Sequence, residues 1–286
     1  MDERVLFCVG AQKAGTTWLH AYFQAHPEIH VPLVKEMHYF DDRFGPEAGQ
    51  FAKRRAARAP KGPAAGGAPL SYPSPAYTAA LLSMHRDPTS DHTAYRRLLS
   101  DGARPGQVLA DITPSYALLD QFGFAEMMRA FPCARFLFIL RDPVNRLWSS
   151  LRMLHDERRG SDQTASPAAL AERYLKGGLA HVRRRGAYDR TIAALDASVP
   201  PDRMLFVFYE DLFTDASLKR ICSHIGVRAW PGDFASTVRG GRAAPLPDDL
   251  AGRLYADLAP IYARLETRFP GRLPASWRRM ETVTPN

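Results

Sequence analysis

Three times along the chain, a short run of apolar residues gives way to a loop and then to a stretch whose apolar positions recur at helical spacing. The first run is Arg4 to Gly10, and the stretch from Thr16 to Gln24 then sets Trp18, Leu19, Tyr22 and Phe23 on one helical face. The second run is Arg135 to Leu140, followed after Arg141-Asp142-Pro143 by Leu147, Leu151 and Leu154. The third is Met204 to Tyr209, followed by Asp215 to Ile225, where Asp215 suits an N-cap and Gly226 a C-cap. Strands that alternate with helices predict a three-layer α/β fold whose central, mainly parallel sheet is covered on both faces. From Asp248 to Arg268, the recurrence of Leu250, Leu254, Leu258, Ile261 and Leu265 predicts an amphipathic helix packed on the body and kinked at Pro260. Between Gly45 and Pro75 no apolar period is sustained, and Ala, Gly, Pro, Lys and Arg dominate. An exposed insertion over about residues 45–90 is therefore expected within one domain spanning 1–286.

Composition narrows the class. The 286 residues are 45% hydrophobic and 24% charged, which suits a globular chain with a substantial core and excludes wholesale disorder. No apolar run approaches the roughly 20 residues that cross a bilayer, and Met1 to Arg4 lead directly into the first strand. Neither a membrane span nor a signal peptide is expected. Cys8, Cys133 and Cys222 are odd in number and far apart, which fits buried free thiols in a reducing cytoplasm better than a disulfide frame. His26 and His30 are four apart, but Pro27 breaks the helix that a His-Glu-x-x-His zinc motif needs, so no metal site is expected. Thirty-eight basic against thirty acidic residues leave a net charge of +8, compatible with an anionic substrate, nucleic acid or a plain soluble surface. Lys53-Arg54-Arg55 with Arg58 and Lys61, and Arg183-Arg184-Arg185, read as solvated basic faces.

Two loops carry chemistry. Gly10-Ala11-Gln12-Lys13-Ala14-Gly15-Thr16-Thr17-Trp18 joins the first strand to its helix. Backbone N–H groups in such a P-loop-like turn, the positive helix end, Lys13 and the hydroxyls of Thr16 and Thr17 together form a phosphate cradle. It is not a Walker A loop, because the lysine precedes the second glycine, which disfavours an ordinary ATP-using kinase. A plain strand-to-helix turn would show the same glycines. The second loop is Arg141-Asp142-Pro143-Val144-Asn145-Arg146-Leu147-Trp148-Ser149, where Arg141 leaves a strand's C-terminal edge and Ser149 lies about two helical turns on. It suits a second phosphate, or else a local Arg141–Asp142 ion pair with an incidental hydroxyl.

Both loops resemble those of sulfotransferases that use 3′-phosphoadenosine 5′-phosphosulfate. The resemblance implies that Gln12, Lys13, Ala14, Gly15, Thr16, Thr17 and Trp18 hold the 5′-phosphosulfate, and that Arg141 and Ser149 hold the 3′-phosphate. Phe206-Val207-Phe208-Tyr209-Glu210-Asp211 is similar to the family's strand ending in Tyr-Glu-Asp, which puts Tyr209 near the nucleotide. Val238-Arg239-Gly240-Gly241-Arg242 resembles the basic glycine loop over the 3′-phosphate, which brings in Arg239, Gly240 and Gly241. Lys35-Glu36-Met37-His38-Tyr39-Phe40-Asp41 is similar to a segment of heparan-sulfate glucosaminyl sulfotransferases and implies Glu36 as the catalytic base. Asp111-Ile112-Thr113-Pro114-Ser115-Tyr116 resembles a substrate-side segment of the same branch, with Ile112 where those enzymes often carry a lysine. Gly186-Ala187-Tyr188 resembles the element that precedes an acceptor-side helix.

The roles follow from chemistry as well. Sulfuryl transfer, like phosphoryl transfer, asks the protein for alignment and for stabilisation of charge on the leaving group. Lys13 suits that charge. The acceptor must lose a proton, for which Glu36 is the first candidate, His38 the second and Asp111 the third. An isolated Glu36 would instead form a surface ion pair with Lys35. Tyr116 completes the expected acceptor side, and so does His155 of the polar His155-Asp156-Glu157 run unless that run is a solvated helix end; the Gly45 to Pro88 stretch is expected to shape the entrance. The expected function is metal-free sulfuryl transfer in the cytoplasm from that donor to a hydroxyl or amine of a small molecule or sugar conjugate, with no nucleic-acid or membrane partner. A non-catalytic binder of phosphonucleotides or acidic polymers is the rival.

Overall fold

The computed structural model of the chain describes residues 3–58, 75–87, 91–158, 166–235 and 245–277. Five strands form its sheet: β1 (Val5–Gly10), β2 (Ile29–His30), β3 (Val108–Ile112), β4 (Arg135–Leu140) and β5 (Met204–Phe208). All pairs are parallel, in the order β2-β3-β1-β4-β5. Every residue of β1 and β3 is buried, as unbroken apolar strands require when helices flank the sheet. Phe7 sits at the centre, opposite Asp111 of β3 and Phe136 of β4, with the rings of Phe40, Tyr116, Phe131 and Phe136 around it.

The helices are α1 (Thr16–Ala25), α2 (Tyr39–Phe44), α3 (Gln50–Arg58), α4 (Pro75–Arg86), α5 (Thr93–Leu99) and α6 (Gln121–Ala130). There follow α7 (Pro143–Arg158), α8 (Pro167–Leu175), α9 (Ala180–Arg184), α10 (Tyr188–Ser198), α11 (Tyr209–Leu212), α12 (Asp215–Ile225) and α13 (Asp248–Arg268). A second apolar cluster lies away from the sheet's main core. In it Val144, Leu147 and Leu151 of α7 meet Leu170 and Tyr174 of α8 and Leu250, Leu254 and Leu258 of α13. This clamps α7, the helix that carries Ser149, between α8 and α13.

The three strand–loop–helix units and the long C-terminal helix match the apolar pattern, and Pro260 lies within α13. Several expectations need correction. The N-cap of α12 is Thr214, whose hydroxyl accepts the Ser217 N–H at 3.2 Å, and Asp215 is the first helical residue. The stretch expected to be an exposed insertion contains α3 and α4, and Tyr77, Leu81 and Met84 are buried in the main core. The arginines expected on a solvated face are engaged. Arg183 binds Asp257 and lies 4.1 Å over the Tyr174 ring, and Arg184 and Arg185 both reach Glu47. Arg185 also donates to Ser115 Oγ at 2.7 Å. Arg58 as to its side chain, and Lys61 altogether, lie outside the described residues. Cys8 and Cys222 are buried free thiols and Cys133 is a half-buried one. Among the described residues no helix is long and apolar enough to cross a membrane.

Candidate active site

The chain runs from β1 out to the edge strand β2, returns to β3 beside β1, and then places β4 on the other side of β1. The order thus reverses around β1, and a crevice opens above the strand ends there. The loop after β1 and Arg141 after β4 both project into it. A cavity of about 660 Å³ occupies this position, lined by Gln12, Lys13, Gly15, Thr16, Thr17 and Trp18 from the loop and by Arg141 and Ser149 from the second unit. Tyr209 lines it as well, from the end of β5.

Local packing explains the loop's sequence. Gly15 has φ +80°, and a Cβ there would come within 2.7 Å of Leu212 Cδ2, so only glycine lets α1 start so close to α11. Gly10 faces Phe138 in the same way, at 2.8 Å. Lys13 itself has φ 70°. Its carbonyl accepts from Arg141 Nη1 at 2.8 Å, which ties the loop after β1 to the loop after β4. The Arg141 guanidinium lies 4.6 Å over the Tyr209 ring, and the Tyr188 hydroxyl donates to the Arg141 carbonyl at 3.1 Å. Asp142 turns elsewhere: it accepts the Asn145 N–H and the Tyr262 hydroxyl, each at 2.7 Å, at the start of α7. Tyr188 of the Gly-x-Tyr element thus supports Arg141, and Gly186 makes room for the buried Arg146 guanidinium.

Lys35 and Glu36 line the same cavity from the segment between β2 and α2. Glu36 and His38 have φ 64° and 55°, a left-handed conformation that non-glycine residues adopt at a cost and that clusters at functional sites. Lys35 Nζ pairs with Glu36 Oε1, and His38 Nε2 lies 3.4 Å from Glu36 Oε2. His38 Nδ1 is 2.8 Å from Asp41 Oδ2, and the Phe51 ring stacks on the imidazole with centroids 3.4 Å apart. Burial works against ionisation of Glu36, but the His38 hydrogen bond and the Lys35 charge prevail and hold its carboxyl down at about 2. Burial also disfavours the His38 cation, yet the two carboxylates outweigh it and raise its pKa. The ion pair expected of an isolated Glu36 is therefore present, inside the cavity.

The other expected acceptor-side residues sit elsewhere. Asp111 is wholly buried and accepts from Tyr95 (2.7 Å), Thr113 (2.6 Å) and Tyr116 (2.6 Å), so neither it nor Tyr116 lines the cavity. Burial raises the Asp111 pKa against these three donors. His155 is 3.3 Å from Asp156, and the cavity takes Glu157 in its place. Arg239, Gly240 and Gly241 lie outside the described residues.

Ser149, Met153 and Glu157 form one stripe of α7 facing the cavity, which i, i+4, i+8 spacing from Ser149 could have revealed. Phe213 and Phe234 had no local signal. They arrive through long-range packing: Trp18 Nε1 donates to the Asp233 carbonyl at 3.0 Å, and the Trp18 ring stacks on Phe234 at 5.8 Å and meets Phe213 edge-on at 5.0 Å.

The site has relatives. The sequence profile of the sulfotransferase family matches residues 6–232. The crystal structure of a sulfotransferase from Alicyclobacillus acidocaldarius is 25% identical, covers 96% of this chain and 98% of its own, and has a TM-score of 0.64. The sulfotransferase domain of the olefin synthase of Synechococcus PCC 7002 has the same fold, with 21% identity, a TM-score of 0.50 and coverage of 91% and 94%. No curated protein sequence matches the chain. The matched span runs from β1 to beyond α12, and this protein belongs to the sulfotransferase family.

Proposed function

We propose that the protein transfers a sulfuryl group from 3′-phosphoadenosine 5′-phosphosulfate to a hydroxyl or amine of a small-molecule or sugar-conjugate acceptor. One observation carries this reading: Lys13, Arg141, Ser149 and Glu36, which come from three separate segments, line one cavity. Its polar lining falls into two anion-binding sets, the loop with Lys13, Thr16 and Thr17, and Arg141 with Ser149, as a donor with two phosphate-bearing positions requires. Trp18, Phe213 and Phe234 offer an aromatic wall to a flat base ring. Glu157 is two turns beyond Ser149, about 12 Å along the axis, which keeps its charge away from the phosphate-holding end.

The donor supplies a sulfur–oxygen bond whose scission leaves negative charge on its 5′-phosphate. Lys13 and the N–H groups at the start of α1 stabilise that charge more as it grows than before reaction. As the acceptor oxygen or nitrogen bonds to sulfur, its proton passes to the Glu36 carboxylate. His38, steered by Asp41, orients that carboxylate. Ile112, where the resembling polysaccharide enzymes often carry lysine, is 2% exposed within β3 and packed in the main core.

The test is calorimetric titration with 3′-phosphoadenosine 5′-phosphate, ATP and ADP without metal, followed by an acceptor screen with labelled donor. The 3′-phosphorylated nucleotide should bind preferentially, and Arg141→Ala should abolish the preference. Lys13→Ala should lose most turnover even at saturating donor. Equal binding of ATP would sink the proposal.

A further inference from the structure

We propose that α3 braces the proton-abstracting end of the site and that Arg55 is a positioning residue for Glu36, a role that rests on the sulfuryl-transfer reading above. Arg55 Nη2 donates to the Glu36 carbonyl at 2.6 Å. It is half-buried, whereas Lys53 and Arg54 on the same helix are exposed. Glu36 needs such a hold, because a left-handed non-glycine residue is unfavourable by itself and persists only where its surroundings over-determine it. Released to the extended region, the same residue would carry its carboxylate in a different direction from the one that lines the cavity.

Arg55 is itself held from two sides. Its Nη1 lies 3.4 Å from His85 Nε2, and His85 Nδ1 lies 3.1 Å from Asp42 Oδ2. This network assigns the imidazole proton to Nδ1, which leaves Nε2 to accept from the guanidinium. Asp42 also accepts the backbone N–H of Phe51 at 2.8 Å and of Ala52 at 3.3 Å, so one carboxylate anchors both the helix and the histidine that meets Arg55. One turn before Arg55, Phe51 stacks on His38. Helix α3 thus touches both members of the Glu36–His38 pair, with a guanidinium on the backbone of one and a ring on the side chain of the other. Only a planar fork can serve the carbonyl and the imidazole together, and a lysine reaches one of them at a time.

The full-length protein, Arg55→Met and Arg55→Lys are compared for kcat, donor KM and affinity for 3′-phosphoadenosine 5′-phosphate, with amide hydrogen exchange as a readout independent of turnover. Arg55→Met should lower kcat roughly 10- to 100-fold, since about 1 Å of misplacement can cost 10²-fold. Donor KM and product affinity should stay within about twofold, because the loops that set them leave other strands. Arg55→Lys should recover part of the loss. Amides of residues 35–41 should exchange faster in Arg55→Met while those of residues 10–18 are unchanged. An unaltered kcat, or kcat and nucleotide affinity falling together, overturns the assignment. Should Arg55→Met fail to fold, Arg55→Lys decides: a wild-type kcat and wild-type exchange at 35–41 refute the brace. If the unaltered protein transfers no sulfuryl group to any acceptor, the functional reading fails, and exchange at 35–41 alone decides whether Arg55 holds Glu36.

Discussion

Lys35 and Lys13 line the same cavity, yet their charges have different work. Lys13 stands in the loop after β1, where the proposed donor phosphate would sit, whereas Lys35 pairs with Glu36 and helps keep its carboxyl down at about 2. A base held that low is ionised throughout the physiological range and is correspondingly weak. Replacing Lys35 by methionine leaves burial, which raises the Glu36 pKa, opposed only by His38. The carboxyl should then titrate higher, because an ion pair that favours its charged form is gone. As pH falls, Glu36 is protonated sooner, so the acid limb of kcat/KM in Lys35→Met should move to higher pH, measured at saturating donor down to the lowest pH at which the protein stays folded. An unmoved limb would show that Lys35 does not set the base. Asp111 teaches the opposite lesson about reading carboxylates in sequence. Its register partner is Phe7, three residues short of the end of β1, so the carboxylate points into the sheet's core below the crevice. Only strand register, which no local motif encodes, separates that place from one at the edge.

At the scale of elements, α12 and α13 were legible because apolar residues recur at helical spacing beside a polar face, and α12 also ends on the glycine cap Gly226. Helix α3 was not, because its apolar content is small and its anchor, Asp42, lies in α2 while His85 lies in α4. The same contrast applies to the sheet: β1, β4 and β5 show as apolar runs, but β2 has only two residues and β3 falls on a segment read as acceptor contacts. The side of the cavity that carries Ser149 depends on an element far from it in sequence. Helix α13 packs on α7, whose opposite stripe presents Ser149 to the cavity. Leu254, fully buried in that contact, should cost about 2–5 kcal/mol when truncated to alanine. Urea unfolding measures the loss, and a wild-type midpoint would mean that the second cluster contributes little to the fold. If α7 loosens as a unit, affinity for 3′-phosphoadenosine 5′-phosphate should weaken in the same variant while the exchange of residues 35–41 stays unchanged.

For the whole molecule, the net charge of +8 left three partner classes open, and the fold shows where part of that charge is spent. Lys13 and Arg141 converge at the reversal of strand order, whereas Arg183 pairs with Asp257 and Arg184 and Arg185 share Glu47. Two kinds of attraction can therefore draw a nucleotide in: the long-range field of an excess of cations, and short contacts inside the cavity. Salt separates them. The screening length falls from about 10 Å at 0.1 M to about 3 Å at 1 M, which removes the distant field and leaves buried contacts largely intact. Between these salt concentrations the affinity for 3′-phosphoadenosine 5′-phosphate should fall, and its preference over ATP should survive, because that preference belongs to Arg141 and Ser149. In Arg141→Ala the preference should vanish at every salt concentration while the salt dependence stays close to that of the unaltered protein. If instead salt abolished binding altogether and Arg141→Ala left the preference unchanged, the basic surface would be holding the nucleotide, as a polyanion binder does, and the cavity would not be a donor site.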